Sequence, residues 1–158
     1  MVTRARDLMQ SPVVAIGRDA SLLDAHRLLV EEEIHGAPVV DEDGAVVGVL
    51  SSLDLLRAAH EDHESASGEA VYYRDVLPFT GPDRGSNAED FQDRLSTLRV
   101  SDVMSEHVVS VPPEATAAQL AKTLRENGIH RVLVVEKDCL LGIVTAFDLL
   151  KLLENSDR

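Results

Sequence analysis

Two rhythms of hydrophobic and polar positions alternate along this chain, and the whole succession occurs twice. Residues 13–16 are a short β-branched run that ends near turn residues, which predicts a strand. Ser21 then stands before Leu22, Ala25, Leu29 and Val30, apolar positions at helical spacing behind an N-capping side chain. That helix is expected to stop near Ile34. Strands are expected at 37–41 and 46–50, joined through Glu42-Asp43-Gly44, where Asp-Gly is a strong hairpin signal. A last helix starts at Ser51 and carries Leu55-Leu56. The second half repeats the pattern: a strand at 108–111, a helix after Thr116 with Leu120 and Leu124, and a C-cap at Asn127-Gly128. Strands at 132–136 and 140–144 and a helix from Thr145 with Leu149-Leu150 complete it.

The repeat is also one of residues. A shift of 95 sets Met9 on Met104, Asp7 on Asp102, Val13-Val14 on Val108-Val109, and Ile34-His35 on Ile129-His130. After one deletion the shift becomes 94, and Gly48 falls on Gly142 and Asp54-Leu55-Leu56 on Asp148-Leu149-Leu150. The order is therefore β-α-β-β-α, twice, an α/β (α+β) class. One such unit has a small sheet with an apolar face that it cannot bury alone. Two copies are expected to pack about a pseudo-twofold axis, with grooves where they meet. The copies take residues 1–60 and 100–158, and 61–99 form an inserted linker.

Composition narrows the function classes. The net charge of −13 repels phosphate backbones and anionic lipid, so neither nucleic acid nor membrane is an expected partner. No apolar run approaches the roughly 20 residues of a spanning helix. The single Cys139 rules out an internal disulfide, and a cytoplasmic location is the expectation. Aromatic residues are 3% of the chain, so aliphatic side chains must build the core.

The duplicated motifs carry a resemblance. They are Asp7-Leu8-Met9, Ile34-His35-Gly36-Ala37-Pro38-Val39-Val40 and Gly48-Val49-Leu50-Ser51-Ser52-Leu53-Asp54. The second copy has Asp102-Val103-Met104, Ile129-His130-Arg131-Val132-Leu133-Val134-Val135 and Gly142-Ile143-Val144-Thr145-Ala146-Phe147-Asp148. Together they resemble the cystathionine β-synthase (CBS) domain pair, or Bateman module, in its stand-alone form. The resemblance implies a regulatory module that binds an adenosine nucleotide (AMP, ADP, ATP) or S-adenosylmethionine between the motifs. It further implies a homodimer that gates a separate enzyme or transporter.

Thr145 and Asp148 read in two compatible ways. Ser/Thr-x-x-Asp is a variant of the capping box that starts a helix. A hydroxyl at a helix N-terminus also suits a phosphate, and a carboxylate one turn on can accept from ribose hydroxyls. With the family resemblance, Thr145 and Asp148 are expected to contact the nucleotide, as are Ser51 and Asp54 in the first copy. The resemblance also places His130 and Arg131 on the ligand phosphate, and guanidinium donors fit two phosphate oxygens at once. The first copy has His35 as the equivalent nucleotide-binding candidate but Gly36 in place of the arginine, which either puts one site in doubt or makes the two sites unequal. Val14 and Val109 are expected to line the adenine pocket. Thr116 reads as an N-cap, with a ligand-facing role added by the resemblance.

Other candidates carry less. His60-Glu61-Asp62-His63-Glu64 lacks the spacing of zinc enzymes and reads as a solvated acidic helix end. Cys139 has no His partner by spacing. No metal site, catalytic residue or enzyme activity is therefore expected. The insert holds nine acids against four arginines, yet also Tyr72, Tyr73, Phe79 and Phe91, four of the chain's five aromatics. A flexible tether has no use for them; the insert is expected to dock back on its own module, the favoured reading, or to meet a second chain or partner, with a short helix at 86–95. Regulatory nucleotide binding without catalysis is thus the leading expectation, and a dimerising scaffold without ligand is the alternative.

Overall fold

A computed structural model describes residues 2–60, 72–74 and 88–156 of the chain. In order, the elements are α1 (Ala5–Leu8), β1 (Ile16–Gly17), α2 (Leu22–Glu31), β2 (Gly36–Val40), β3 (Val46–Ser51) and α3 (Ser52–His60). There follow α4 (Ala88–Thr97), α5 (Val100–Val103), β4 (Ser110–Val111), α6 (Ala117–Asn127), β5 (Arg131–Glu136), β6 (Cys139–Thr145) and α7 (Ala146–Ser156). Residues 72–74 are helical as well. The chain forms two compact units. The first holds Val14–Asp43 and Val47–His107; the second holds Met1–Val13, Gly44–Val46 and Val108–Arg158.

The β-α-β-β-α order appears twice, with strand orders β1-β2-β3 and β4-β5-β6. In each sheet the first strand is parallel to the second, the two being joined through a crossover helix. β5 and β6 are antiparallel, and Arg131 stands opposite Thr145. The opening strands have two residues rather than the expected four, because only Ile16-Gly17 and Ser110-Val111 reach the parallel ladder.

Local chemistry sets the helix ends. Ser21 Oγ accepts from Asp24 N at 3.1 Å, starting α2. Thr116 Oγ1 accepts from Gln119 N (3.2 Å) while Gln119 Oε1 accepts from Thr116 N (2.9 Å), a complete capping box. Gly128, at φ +61, closes α6 in the left-handed conformation that an L side chain resists. α2 ends three residues before Ile34, and the chain turns there through Glu33 at φ +55.

The Asp-x-Met segments each end a single helical turn, whose start the aspartate caps, with Asp7 accepting from Arg4 N and Asp102 from Arg99 N, both at 2.9 Å. The turns are exchanged between the repeats. α1, from the first repeat, lies in the second unit, where Ala5 N donates to Ala115 O (2.7 Å) and Gln10 pairs with Ile143. α5, from the second repeat, lies in the first unit, where Leu22 N donates to Leu98 O (2.9 Å) and Ser105 pairs with Val49. The repeated glycines make room for this. A Cβ at Gly142 would stand 2.7 Å from Met9 Sδ, and one at Gly48 would meet the Ser105 carbonyl and Met104 Sδ.

The core of the first unit gathers Ile16, Leu22, Leu29, Val39, Leu50, Leu55, Leu95 and Val100. In the second unit Leu120, Leu124, Val132, Leu133, Val134 and Val144 are buried. α4 packs on α2 and α3 through fully buried Leu95, and Tyr72 and Tyr73 are buried too. The described parts of the insert therefore dock back, and the helix expected at 86–95 occupies Ala88–Thr97. Residues 61–64 of the His/acid cluster, Phe79 and the Phe91 side chain lie outside the described residues. Among the described residues no group of three or more His, Cys, Asp or Glu side chains is placed to hold a metal ion. Cys139 is exposed. No described helix is long and apolar enough to cross a membrane.

Candidate functional site

The junction of β6 and α7 in the second unit brings together four of the ten candidate residues, Thr145, Asp148, Arg131 and His130. Thr145 is the last residue of the strand, directly opposite Arg131 in the antiparallel register. Ala146 opens the helix, its N–H donating to the His130 carbonyl at 2.9 Å. Asp148, only 1% exposed, turns its carboxylate back on this junction. Oδ2 accepts from Thr145 N (2.8 Å) and Thr145 Oγ1 (3.2 Å), and Oδ1 accepts from Gln10 Nε2 (3.1 Å) and Lys151 Nζ (3.3 Å). The helix-capping reading of this carboxylate is thus realised. Burial pushes the Asp148 carboxyl up, but the bonds from the Thr145 backbone, Gln10, Lys151 and the Thr145 hydroxyl outweigh it and hold the carboxyl below its ordinary value. The group stays charged at neutral pH. It has four partners for about four acceptor positions, so a ribose hydroxyl here has to displace one of them. Thr145 and Arg131 are half-buried and His130 is exposed.

The first unit repeats the junction with different surroundings. Ser52 N donates to the His35 carbonyl at 2.8 Å, as Ala146 does to His130. Asp54 Oδ2 accepts from Ser51 N (2.9 Å) and Ser51 Oγ (3.3 Å). Burial raises the Asp54 carboxyl more than the Ser51 bonds and the positive Arg57 lower it, so its shift is opposite to that of Asp148. Gln10 is one reason. The repeat shift sets Gln10 on Ser105, whose shorter side chain instead accepts from His107 N at 3.4 Å.

The remaining candidates stand apart from these bonds. Thr116 is engaged with Gln119 at the start of α6. Val109 is half-buried in the second unit, its carbonyl accepting from Leu133 N (3.2 Å), and Val14 is half-buried in the first. Gln10 and Lys151 were not legible as site residues. Lys151 lies one turn beyond Asp148, which is a usable signal, whereas Gln10 has only its place after the Asp-x-Met motif.

Comparison with known proteins bears on this duplicated junction. The CBS domain family matches residues 5–61 and 100–155, both copies of the repeat. The chain belongs to the CBS domain family. An uncharacterized protein of Methanocaldococcus jannaschii is 32% identical over 94% of this chain and 89% of its own length. The CBS domain of a CBS-domain-containing membrane protein from Sphaerobacter thermophilus is 32% identical, covers 96% of this chain and 88% of that one, and has a TM-score of 0.70. CBSX2, crystallised in complex with AMP, shares the fold at TM-score 0.68 and 23% identity, with 99% of both chains covered. The two sheets and the helices on them are thus a CBS pair.

Proposed function

We propose that this CBS pair is a regulatory module that binds an adenosine nucleotide at the β6–α7 junction and signals its occupancy to a partner enzyme or transporter, without catalysing a reaction. The observation that carries the reading is the register that sets Arg131 opposite Thr145 at the mouth of an eleven-residue helix. The register sets an arginine and a threonine side by side at the start of a helix, and a guanidinium, a hydroxyl and a helix N-terminus are the chemistry a phosphate needs. Asp148 stays ionised beside them and can accept from a ribose diol if Gln10 or Lys151 gives way. The AMP complex of the CBSX2 fold supports the choice of ligand class. A bound nucleotide shifts a conformational equilibrium only by its difference in affinity for the two states.

Calorimetric titration of the full chain with AMP, ADP, ATP and S-adenosylmethionine tests the proposal. Binding by at least one is the expected result, and a folded, ligand-free sample that binds none overturns it.

Self-association is the compatible second reading, favoured by one feature. Phe147, Leu150 and Leu153 of α7 are 77%, 49% and 63% exposed, and three-residue spacing puts them along one side of the helix. A second copy meeting this stripe makes the module a homodimer.

A further inference from the structure

The first unit has a glycine where the second has its phosphate-facing arginine, and the insert explains what the glycine is for. A Cβ at Gly36 would stand 2.8 Å from Cδ2 of the Tyr72 ring, 2.8 Å from the Leu50 carbonyl oxygen and 3.4 Å from Cα of Ser51. Real Cβ atoms do not approach that closely, so residue 36 is glycine to leave space. Its φ is not positive, and backbone conformation does not demand it. Tyr72 is 2% exposed and meets Tyr73 edge to face, with ring centroids 5.0 Å apart and planes at 82°. Tyr73 is 1% exposed and its hydroxyl donates to the His107 carbonyl at 3.5 Å. The two rings form an anchored wedge beside the β3–α3 junction. Ser51 there has no exposed surface, whereas its counterpart Thr145 is half-buried.

We propose that Tyr72 is a built-in plug: its ring occupies the place that the second unit gives to the Arg131 side chain, and it closes the first unit to nucleotide. The chain therefore carries one nucleotide site rather than two. This rests on the nucleotide reading given above. A tethered side chain competes at an effective concentration of about a millimolar or more, because it never diffuses away. A nucleotide has to displace this ring to enter the first unit, so its apparent affinity there falls in proportion to the fraction of chains in which the ring is out of place. The absence of arginine at residue 36 and the presence of Tyr72 in the insert then have one cause.

Titration calorimetry of the full chain with AMP and with ATP reads the number of sites. The expected result is one equivalent for the unaltered chain and two for Tyr72→Ala. Adding Arg131→Ala to Tyr72→Ala should take the tight site away and leave the opened one. Tyr72→Leu retains apolar packing and serves if the alanine variant does not fold. The chain has two tyrosines and no tryptophan, so tyrosine emission reports on this wedge alone. Acrylamide quenching of the unaltered chain should stay low and unchanged at saturating AMP. Two equivalents in the unaltered chain, one equivalent in a folded Tyr72 variant, or a severalfold rise in quenching with AMP each overturn the plug. Absence of binding to every chain overturns the nucleotide reading itself, and the plug with it.

Discussion

Gln10 Nε2 stands 3.1 Å from Asp148 Oδ1, a hydrogen bond that spans 138 residues of sequence. It ties the segment after α1 to the first turn of α7 and helps keep a nearly fully buried carboxylate ionised. Replacing Gln10 with Ala removes a donor from a charged acceptor, which costs about 1–2 kcal/mol at neutral pH. Denaturant midpoints of the two chains at pH 7 measure the difference. An unchanged midpoint means that water takes over the bond without loss.

The opposite shifts of the two equivalent carboxylates give opposite pH dependences. Asp148 sits below its ordinary value of 3.8, so its contribution is present above that pH and is lost as pH falls through the lowered folded value. Asp54 sits above 3.8, so its contribution is greatest below that pH and declines as pH rises through the raised folded value. Asp54→Asn should flatten the decline of stability above pH 3.8, and Asp148→Asn should flatten the rise around and below it. Urea midpoints followed from acid to neutral pH check both, and matching changes in the two variants would contradict the assignment.

Gly142 and Gly48 are equivalent in sequence but not in what they meet. The three atoms nearest a Cβ at Gly142 all belong to the Met9 side chain, Sδ at 2.7 Å, Cγ at 2.8 Å and Cβ at 2.9 Å. Gly142→Ala should therefore cost about 1–3 kcal/mol by overpacking, and Met9→Ala in the same chain should recover part of it. A Cβ at Gly48 meets the Ser105 backbone carbonyl besides Met104. Trimming Met104 should not rescue Gly48→Ala. Double-mutant cycles by thermal or chemical unfolding distinguish the two cases.

Arg131 provides the proposed phosphate contact, so Arg131→Ala should weaken nucleotide binding by roughly 10- to 100-fold, the loss of a charge-assisted bond. Arg131→Lys keeps the charge but not the planar pair of donors, and should recover only part of the affinity. Calorimetry on both variants, with circular dichroism to confirm folding, gives the answer. Unaltered affinity in Arg131→Ala would remove this residue from the site.

The exposed stripe on α7 leads to a measurement of mass. If a second copy covers Phe147 and Leu153, the paired replacements Phe147→Ser and Leu153→Ser should convert a dimer to a monomer without lowering the unfolding midpoint of the separated chain. Light scattering coupled to size-exclusion chromatography reads the change. A monomeric unaltered chain at tens of micromolar would reject the interface.

Much of the architecture is local, and the sequence by itself determined it. Side-chain periodicity and capping chemistry act over a few residues, so the doubled β-α-β-β-α order, the caps at Ser21 and Thr116 and the turn at Gly128 could all be read in advance. The Thr145–Asp148 bond was legible for the same reason, because three residues on a helix start bring the groups together. Only the tertiary structure decided which repeat each Asp-x-Met segment packs against, because both sheets have an equivalent place for it and sequence order does not say which is taken. The same exchange delivers Gln10 to Asp148. Tyr72 beside Gly36 is equally non-local: a missing side chain in a strand and a ring in an insert become one feature only when packing brings them within van der Waals reach.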